Sequence, residues 1–194
     1  RDIRAKAREG DLVLIDAGAE YRGYAADITR TFPVNGRFTR EQRQLHDLVC
    51  AAQAAALAQA RPGVAYEAGH DAAVATLTEG LLSLGLLSGG LEAAIARGDY
   101  KRYYRHKTGH WLGLDVHDVG EYRIDGESRL LEPGMVFTIE PGLYIPPDDA
   151  SVPAKWRGIG IRIEDDVLVT RDGHRVLTGA LERSADEVEA LMAR

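Results

Sequence analysis

The stretch at 12–31, LVLIDAGAEYRGYAADITRT, decides the fold of this chain. Two β-prone runs flank a polar turn at 20–23, and each run carries one carboxylate, Asp16 or Asp27. A two-residue hairpin turn centred on 21–22 would place the two aspartates directly opposite each other on one face. Like charges in opposed positions of a sheet repel, and buried anions are paired, protonated or bound to a metal. The stretch therefore predicts a hairpin that holds a divalent cation between its strands.

Composition and charge narrow the class of protein. At 194 residues with 45% hydrophobic residues, the chain is expected to form one globular domain. Its net charge of −6 argues against a nucleic-acid or anionic-membrane surface. No apolar run approaches the roughly 20 residues needed to span a bilayer. Cys50 is the only cysteine, which excludes an intrachain disulfide and predicts a cytoplasmic location. Because the chain starts at Arg1 without a Met, we expect it to be a fragment.

Local signals predict the other elements. Thr39 and Gln42 form a capping box that starts a helix, which apolar residues at helical spacing extend to about Ala60. Further segments are predicted as helices at 66–84, 91–97 and 184–194, and as strands at 135–140 and 158–170.

The second half of the chain supplies the remaining candidate site residues. His106, His110 and His117 cluster beside glycines, and Glu140 ends a strand just before a proline. Arg162 and Glu164 lie on one face of their strand because the side-chain period is two. His110 and His117 have opposite strand parity, so either the chain bulges at Gly113 or the segment is a loop. The remaining residues of these types are interpreted as structural or solvated, namely His46, His70, His174, Asp47 and Asp71.

The candidate ligands are mostly carboxylates, which favours hard or borderline cations such as manganese. They are Asp16, Asp27, His110, Glu140 and Glu164. Two divalent cations would neutralise four carboxylates, and two such ions can share and activate a water, so the implied reaction class is hydrolysis. The alternative is that the acids lie at solvated strand edges and the histidines are ordinary hydrogen-bonded residues. Apolar neighbours such as Ile15 and Ile163 weigh against that alternative.

Four blocks carry a family resemblance, in the order LIDAGAEYRGYAADITRTFPVNGRFT, HKTGHWLGLDVHDVG, LEPGMVFTIEPGLYI and GIGIRIEDDVLVT. From Gly10 onward the chain resembles the catalytic domain of the aminopeptidase P family. The resemblance implies the pita-bread fold, an α+β architecture with a curved, mainly antiparallel sheet, covering helices and two pseudo-twofold halves. It also implies that residues 1–194 are a catalytic domain without its N-terminal portion and without the separate N-terminal domain of that family.

The resemblance further implies a role for each candidate residue. Asp16 would chelate one metal and His110 with Glu140 the other, usually manganese, with Asp27 and Glu164 bridging. Glu140 would be the general base for a metal-bridging water or hydroxide. His106 and His117 would hold the substrate, while Arg162 and Tyr144 would orient Asp16.

The implied activity is release of the first residue from peptides with proline in second position, by a homo-oligomer. The alternatives are prolidase, which cleaves only Xaa-Pro dipeptides, and a pita-bread scaffold that binds peptides or proteins without catalysis.

Overall fold

A computed structural model describes residues 6–193 of the chain as an α+β fold. Its strands are β1 (Leu12–Ala17), β2 (Glu20–Tyr21), β3 (Tyr24–Ala25), β4 (Ile28–Pro33), β5 (Arg123–Ile124), β6 (Glu127–Ser128), β7 (Val136–Ile139), β8 (Gly142–Tyr144), β9 (Gly160–Arg162), β10 (Asp165–Val169) and β11 (His174–Val176). Its α-helices are α1 (Arg40–Leu57), α2 (Tyr66–Ser83), α3 (Leu91–Arg97) and α4 (Ala185–Met192). Every strand pair in the described range is antiparallel.

The hairpin forms, but its turn lies one residue later than predicted. Tyr21 pairs with Tyr24, so Arg22 and Gly23 are the central residues, with φ of 53° and 85°. A two-residue turn of this type needs positive φ at both central positions, and glycine meets that need without strain. Asp16 therefore pairs with Thr29 and not with Asp27. The observed pairing differs from the predicted pairing by two residues. Because side chains alternate between the two faces of a strand, Asp16 and Asp27 still share one face.

Both arms of the hairpin are interrupted, one between β1 and β2 and the other between β3 and β4. At Gly18 the two arms of the hairpin approach so closely that a Cβ there would lie 1.7 Å from the carbonyl oxygen of Ala26. Just beyond, the Asp27 N–H leaves the ladder and donates to the Asp166 carboxylate at 3.2 Å. The constriction carries Asp27 into the interior of the protein, where its exposure is 7%.

The predicted continuous strand at 158–170 is also divided. β9 pairs with β8, whereas β10 pairs with β7 and β11. Between β9 and β10, Glu164 forms an isolated antiparallel bridge to Thr29 of the first hairpin. This bridge joins the two halves of the sheet, so Glu164 lies at the junction.

The helices follow the sequence closely. The capping box at Thr39 and Gln42 is present, and α4 begins with a second one at Ser184. α1 packs along α2 and places Leu45 and Val49 in a core shared with Leu77 of α2 and Ile161 of β9. None of the helices in residues 6–193 is long and apolar enough to cross a membrane.

Candidate metal centre

Three of the five predicted ligands meet at the junction of the sheet. Asp27, His110 and Glu164 each offer a ligand atom, and these atoms lie within 4.8 Å of one another. They come from three distant parts of the chain, the constricted hairpin, the segment that pairs with β7, and the break between β9 and β10. Glu164 is almost completely buried, with 1% exposure. Such a group of deeply placed oxygen and nitrogen donors fits a bound divalent cation.

His110 is held in one tautomer. Its Nδ1 lies 3.0 Å from the Trp111 carbonyl oxygen, which can only accept, so Nδ1 carries the proton and donates. The Nε2 lone pair therefore faces the site, 3.4 Å from Asp27 Oδ2 and 3.5 Å from Glu140 Oε1. A carbonyl acceptor on the far nitrogen is the usual support of a metal-ligating histidine.

Glu140, the fourth predicted ligand, follows β7 and borders the same space. Thr138 helps to place this group, because its hydroxyl lies 3.1 Å from the His110 N–H and 3.4 Å from Glu140 Oε1. The Glu140 N–H donates to the Thr108 carbonyl at 2.7 Å, which fixes the end of the strand. The site thus holds Glu140 on an ordered backbone next to the imidazole.

Three carboxyl groups of the site, those of Asp27, Glu140 and Glu164, have raised pKa values. Burial raises the pKa of Glu140 to about 7, against the pull of Arg162, and nearby Asp27 and Asp16 add to the rise. Burial and the Glu140 charge raise the pKa of Glu164 to about 8. Burial and the contact with Asp16 also raise the pKa of Asp27. A bound cation would stabilise the ionised carboxylates and lower these pKa values.

These shifts predict how the metal-free protein responds to pH. Protonated Glu140 and Glu164 stabilise the fold, and their contribution is lost as the pH rises from 4.5 through about 7 and about 8. The pKa values of His46 and His106 are lowered from 6.5, so these residues reduce the stability of the fold only as the pH falls below 6.5. We expect the Tm of chelated protein to fall by about 3–10 °C between pH ~6.5 and ~8.5. Manganese-saturated protein is the control, with a flatter profile, and an equally flat profile after chelation would contradict the account.

Asp16, the fifth predicted ligand, lies at the outer side of the site, in contact with Arg162. The Arg162 guanidinium contacts the Asp16 carboxylate and donates to the Tyr144 hydroxyl at 3.0 Å and to Thr29 Oγ1 at 3.2 Å. The Asp16 side chain is 47% exposed, so its direction depends on this contact. The structure thus places Arg162 and Tyr144 where they can orient Asp16.

The network continues from Tyr144 to His106. His106 Nδ1 donates to the Lys107 carbonyl at 2.7 Å, and Nε2 lies 2.8 Å from the Tyr144 hydroxyl. Because Arg162 donates to that hydroxyl, the phenol proton points to His106 Nε2. Burial lowers the pKa of His106, in keeping with a neutral ring. Both ring nitrogens are engaged, so His106 has no free lone pair for a metal.

His117 reaches the site from a loop, one of the two alternatives that its parity left open. After Trp111 the chain folds back, with the Asp118 N–H donating to the Trp111 carbonyl at 3.0 Å. Gly113 is needed there, because a Cβ would lie 2.0 Å from Asp118 Oδ2. The His117 ring stands edge-on to His110, with ring centroids 4.2 Å apart.

The three histidines should therefore respond differently to truncation. We expect His110→Ala to lose metal, because its Nε2 faces the carboxylates. His106→Ala and His117→Ala should keep nearly all metal and lower turnover by about 10- to 100-fold. Elemental analysis beside steady-state kinetics makes the comparison. Metal loss from either outer variant as complete as from His110→Ala would make that histidine a ligand.

Sequence reasoning missed several residues around the site. Thr29 donates its hydroxyl to Glu164 Oε2, and Asp166, whose pKa burial raises to about 6, accepts the Asp27 N–H. Asp166 is two residues from Glu164 and therefore shares its strand parity, which could have indicated that Asp166 lies near the site. His70, interpreted as non-functional, lies 2.8 Å from Thr108 Oγ1 through Nδ1, in the same cavity wall as His106. The helical pattern around His70 gives no sign that this residue borders the cavity.

Comparison with known proteins places this geometry in a family. The model of metallopeptidase family M24 matches residues 2–171. The chain belongs to this family. The M24 chain is 52% identical over 185 residues to the Xaa-Pro aminopeptidase of Escherichia coli, covering 95% of this chain and 42% of the relative. It is 51% identical to Xaa-Pro aminopeptidase 2 of Streptomyces coelicolor, over 100% of this chain and 42% of the relative.

Solved structures agree with the sequence comparison. The structure of Pseudomonas aeruginosa aminopeptidase PepP superimposes with a TM-score of 0.98 at 55% identity, over 100% of this chain and 44% of that one. Proline aminopeptidase P II from Yersinia pestis gives a TM-score of 0.93 at 52% identity, over 97% of this chain and 43% of that one. The expected pita-bread fold and the resemblance to aminopeptidase P are confirmed. The M24 chain spans less than half the length of these relatives.

Proposed function

We propose that this chain is the catalytic domain of a metallo-aminopeptidase that hydrolyses the bond between the first residue of a peptide and a proline in second position. The observation that carries the proposal is the group of Asp27, His110 and Glu164, whose ligand atoms lie within 4.8 Å of one another, with Glu140 beside His110. The half-identical Xaa-Pro aminopeptidases supply the substrate class.

We infer that two divalent cations, most suitably manganese, belong to the site. The residues that would hold them are Asp16, Asp27, His110, Glu140 and Glu164. Four carboxylates and one neutral imidazole match the charge of two such ions, and oxygen donors suit manganese better than softer metals. Bound divalent ions lower the pKa of water and polarise a carbonyl group.

The side chains of this chain would carry out the proton transfer and hold the substrate. Glu140, which lies next to His110 and borders the cavity, is placed to take a proton from the attacking water and to return it to the leaving nitrogen. The neutral His106 and the neighbouring His117 border the space beside Glu140, where they would hold the substrate carbonyl. The acidic cluster would attract the free N-terminal amine, which limits attack to the first bond.

Proline selectivity follows from the chemistry of the bond. A peptide bond to proline has no N–H, and its ring fixes φ near −65°. A peptidase that hydrogen-bonds the N–H at this position gains nothing from proline. A site that offers a close apolar surface and no acceptor there favours it.

A peptide comparison tests the proposal. Protein from the complete coding sequence, loaded with manganese, should release the first residue of an Xaa-Pro-Yaa tripeptide. It should ignore the N-acetylated peptide and act at least about tenfold more slowly when alanine replaces proline, the discrimination typical of one lost apolar contact. Cleavage of the Xaa-Pro dipeptide alone would indicate prolidase. Cleavage of neither peptide by metal-loaded protein would indicate a non-catalytic scaffold.

We also propose that the protein is cytoplasmic and forms a homo-oligomer.

A further inference from the structure

Two pairs of side chains meet at the bridge between Thr29 and Glu164, one pair on each face of the sheet. The Thr29 hydroxyl and the Glu164 carboxylate meet on the face that carries the metal centre. The next residues along the two segments, Arg30 and Asp165, form an ion pair at 2.8 Å. Because successive side chains of a strand point to opposite faces, this second pair lies on the far side of the junction.

Arg30 is hydrogen-bonded to the backbone of the junction itself. Its Nη1 donates to the Thr29 carbonyl at 3.0 Å and to the Glu164 carbonyl at 2.7 Å. The Thr29 carbonyl also accepts the Glu164 N–H at 3.0 Å. Both peptide groups that flank the Glu164 Cα are therefore held, one through its N–H and the other through its carbonyl. The direction of the Glu164 side chain depends on the orientation of these two peptide groups.

The other N–H groups of Arg30 fix the guanidinium in place. Nη2 donates to Asp165 Oδ1 at 2.8 Å and to the Leu181 carbonyl at 3.2 Å, and Nε donates to the Glu182 carbonyl at 2.9 Å. A guanidinium has five N–H groups in a rigid planar fork, and each of them has an acceptor here. A lysine ammonium has three donors at one point, so it cannot reproduce this set of contacts.

Asp165 is itself held by several contacts. Its side chain is completely buried and accepts from Gln53 Nε2 at 2.8 Å and from the Thr178 hydroxyl at 2.6 Å. Gln53 belongs to α1 and is also completely buried. A displacement of the Asp165 carboxylate would leave these buried polar groups without partners, which is unfavourable. The ion pair thus connects the junction of the sheet to α1.

Stability alone is a poor explanation for this ion pair. The cost of taking two charges out of water offsets much of their attraction, so a buried ion pair is weak evidence for stability. Asp165 also lies on the face away from the metal centre, so it is not itself placed as a ligand. The group that the pair does fix is the backbone of Glu164.

We propose that Arg30 and Asp165 are positioning residues of the metal centre. Arg30 holds the two peptide groups around the Glu164 Cα, and Asp165 holds Arg30. The Glu164 carboxylate is thereby kept within reach of Asp27 and His110. The inference rests on the proposed function for the presence of a metal centre, but it does not depend on the substrate.

Arg30→Lys tests this role, because it keeps a cation beside Asp165 and removes the planar fork. We expect the variant to bind manganese about 10- to 100-fold more weakly than the unmodified protein, the usual cost of losing support behind a metal ligand. Calorimetric titration of manganese into metal-free protein from the complete coding sequence measures the affinity. Thermal unfolding of the same metal-free samples measures any loss of stability separately.

Asp165→Asn is the second variant, and it decides by the same titration if Arg30→Lys does not fold. It keeps the shape of the side chain but removes the charge that holds the guanidinium, so manganese affinity should fall by a smaller factor. Arg157→Lys is the matched control. Arg157 also donates to backbone carbonyls, those of Ala150 at 3.4 Å and Val152 at 2.8 Å, but these lie within its own loop. This control should bind manganese as the unmodified protein does, even if its Tm falls.

Unchanged manganese affinity in a folded Arg30→Lys protein would overturn the positioning role and leave the ion pair with a structural role alone. An equal loss of affinity in Arg157→Lys would overturn it too. Failure of the proposed function is distinguishable. If the unmodified protein binds no manganese, the metal centre and the positioning role fail together. If manganese binding depends on Arg30 but no Xaa-Pro-Yaa peptide is cleaved, the positioning role is retained and the proposed activity is lost.

Discussion

Replacement of Asp27 by asparagine should cost the protein at least one metal ion and lower its turnover by about a hundredfold or more. The Asp27 carboxylate lies 3.4 Å from His110 Nε2 and within 4.8 Å of a Glu164 oxygen, at the centre of the cluster. Asparagine keeps the shape and the backbone donor to Asp166, but it removes the charge that two cations would share. The effect should therefore appear as lost metal and not as lost fold.

Asp71→Asn is the matched control, because Asp71 is an exposed carboxylate on α2. It should retain metal, turnover and Tm. Elemental analysis, kinetics and thermal unfolding of the two variants together separate a ligand effect from a general one. Asp27→Asn protein with two metals and normal turnover would show that Asp27 does not bridge.

Arg162→Met should lower turnover by about 10- to 100-fold, the range for a residue that orients a metal ligand. Methionine fills the volume of the arginine stem but releases Asp16, the Tyr144 hydroxyl and Thr29 Oγ1 together. Asp16 then loses the contact that orients its carboxylate, so affinity for the metal that it would hold should fall. Metal titration and kinetics measure the two effects.

Arg162→Lys should recover little of the loss, since one ammonium cannot reproduce the three-way contact of the guanidinium. Arg175→Met serves as the control because Arg175 is an exposed arginine on β11. If Arg162→Met turns over normally, Asp16 needs no positioning by this residue.

The face shared by Asp16 and Asp27 could be predicted because it depends only on strand parity. The turn position could not be predicted from a charge argument, because it is set by the positive φ that Gly23 tolerates. The interruption at Gly18 could not be predicted either, since it depends on a carbonyl of the opposite strand. Helices with local capping signals, such as the one after Thr39, were predicted to within a few residues of their ends.

The centre itself could be predicted only in part, because it is assembled by long-range contacts. The sequence predicts Glu164 as a candidate ligand but describes its strand as continuous, and the break that joins Glu164 to Thr29 depends on the other half of the sheet. His117 could not be placed by spacing, because a loop carries it back to His110. Tyr66 and His70 lie on a helix whose pattern gives no sign that one face borders a cavity.

The metal content of the protein tests the central claim most directly. Protein from the complete coding sequence would be chelated, returned to saturating manganese, freed of excess ion and analysed for metal beside peptidase activity. We predict two manganese ions per chain, no activity after chelation and full activity after the second ion binds. Activity that survives complete removal of metal, or full activity with a single ion per chain at saturation, would contradict a centre built for two cations.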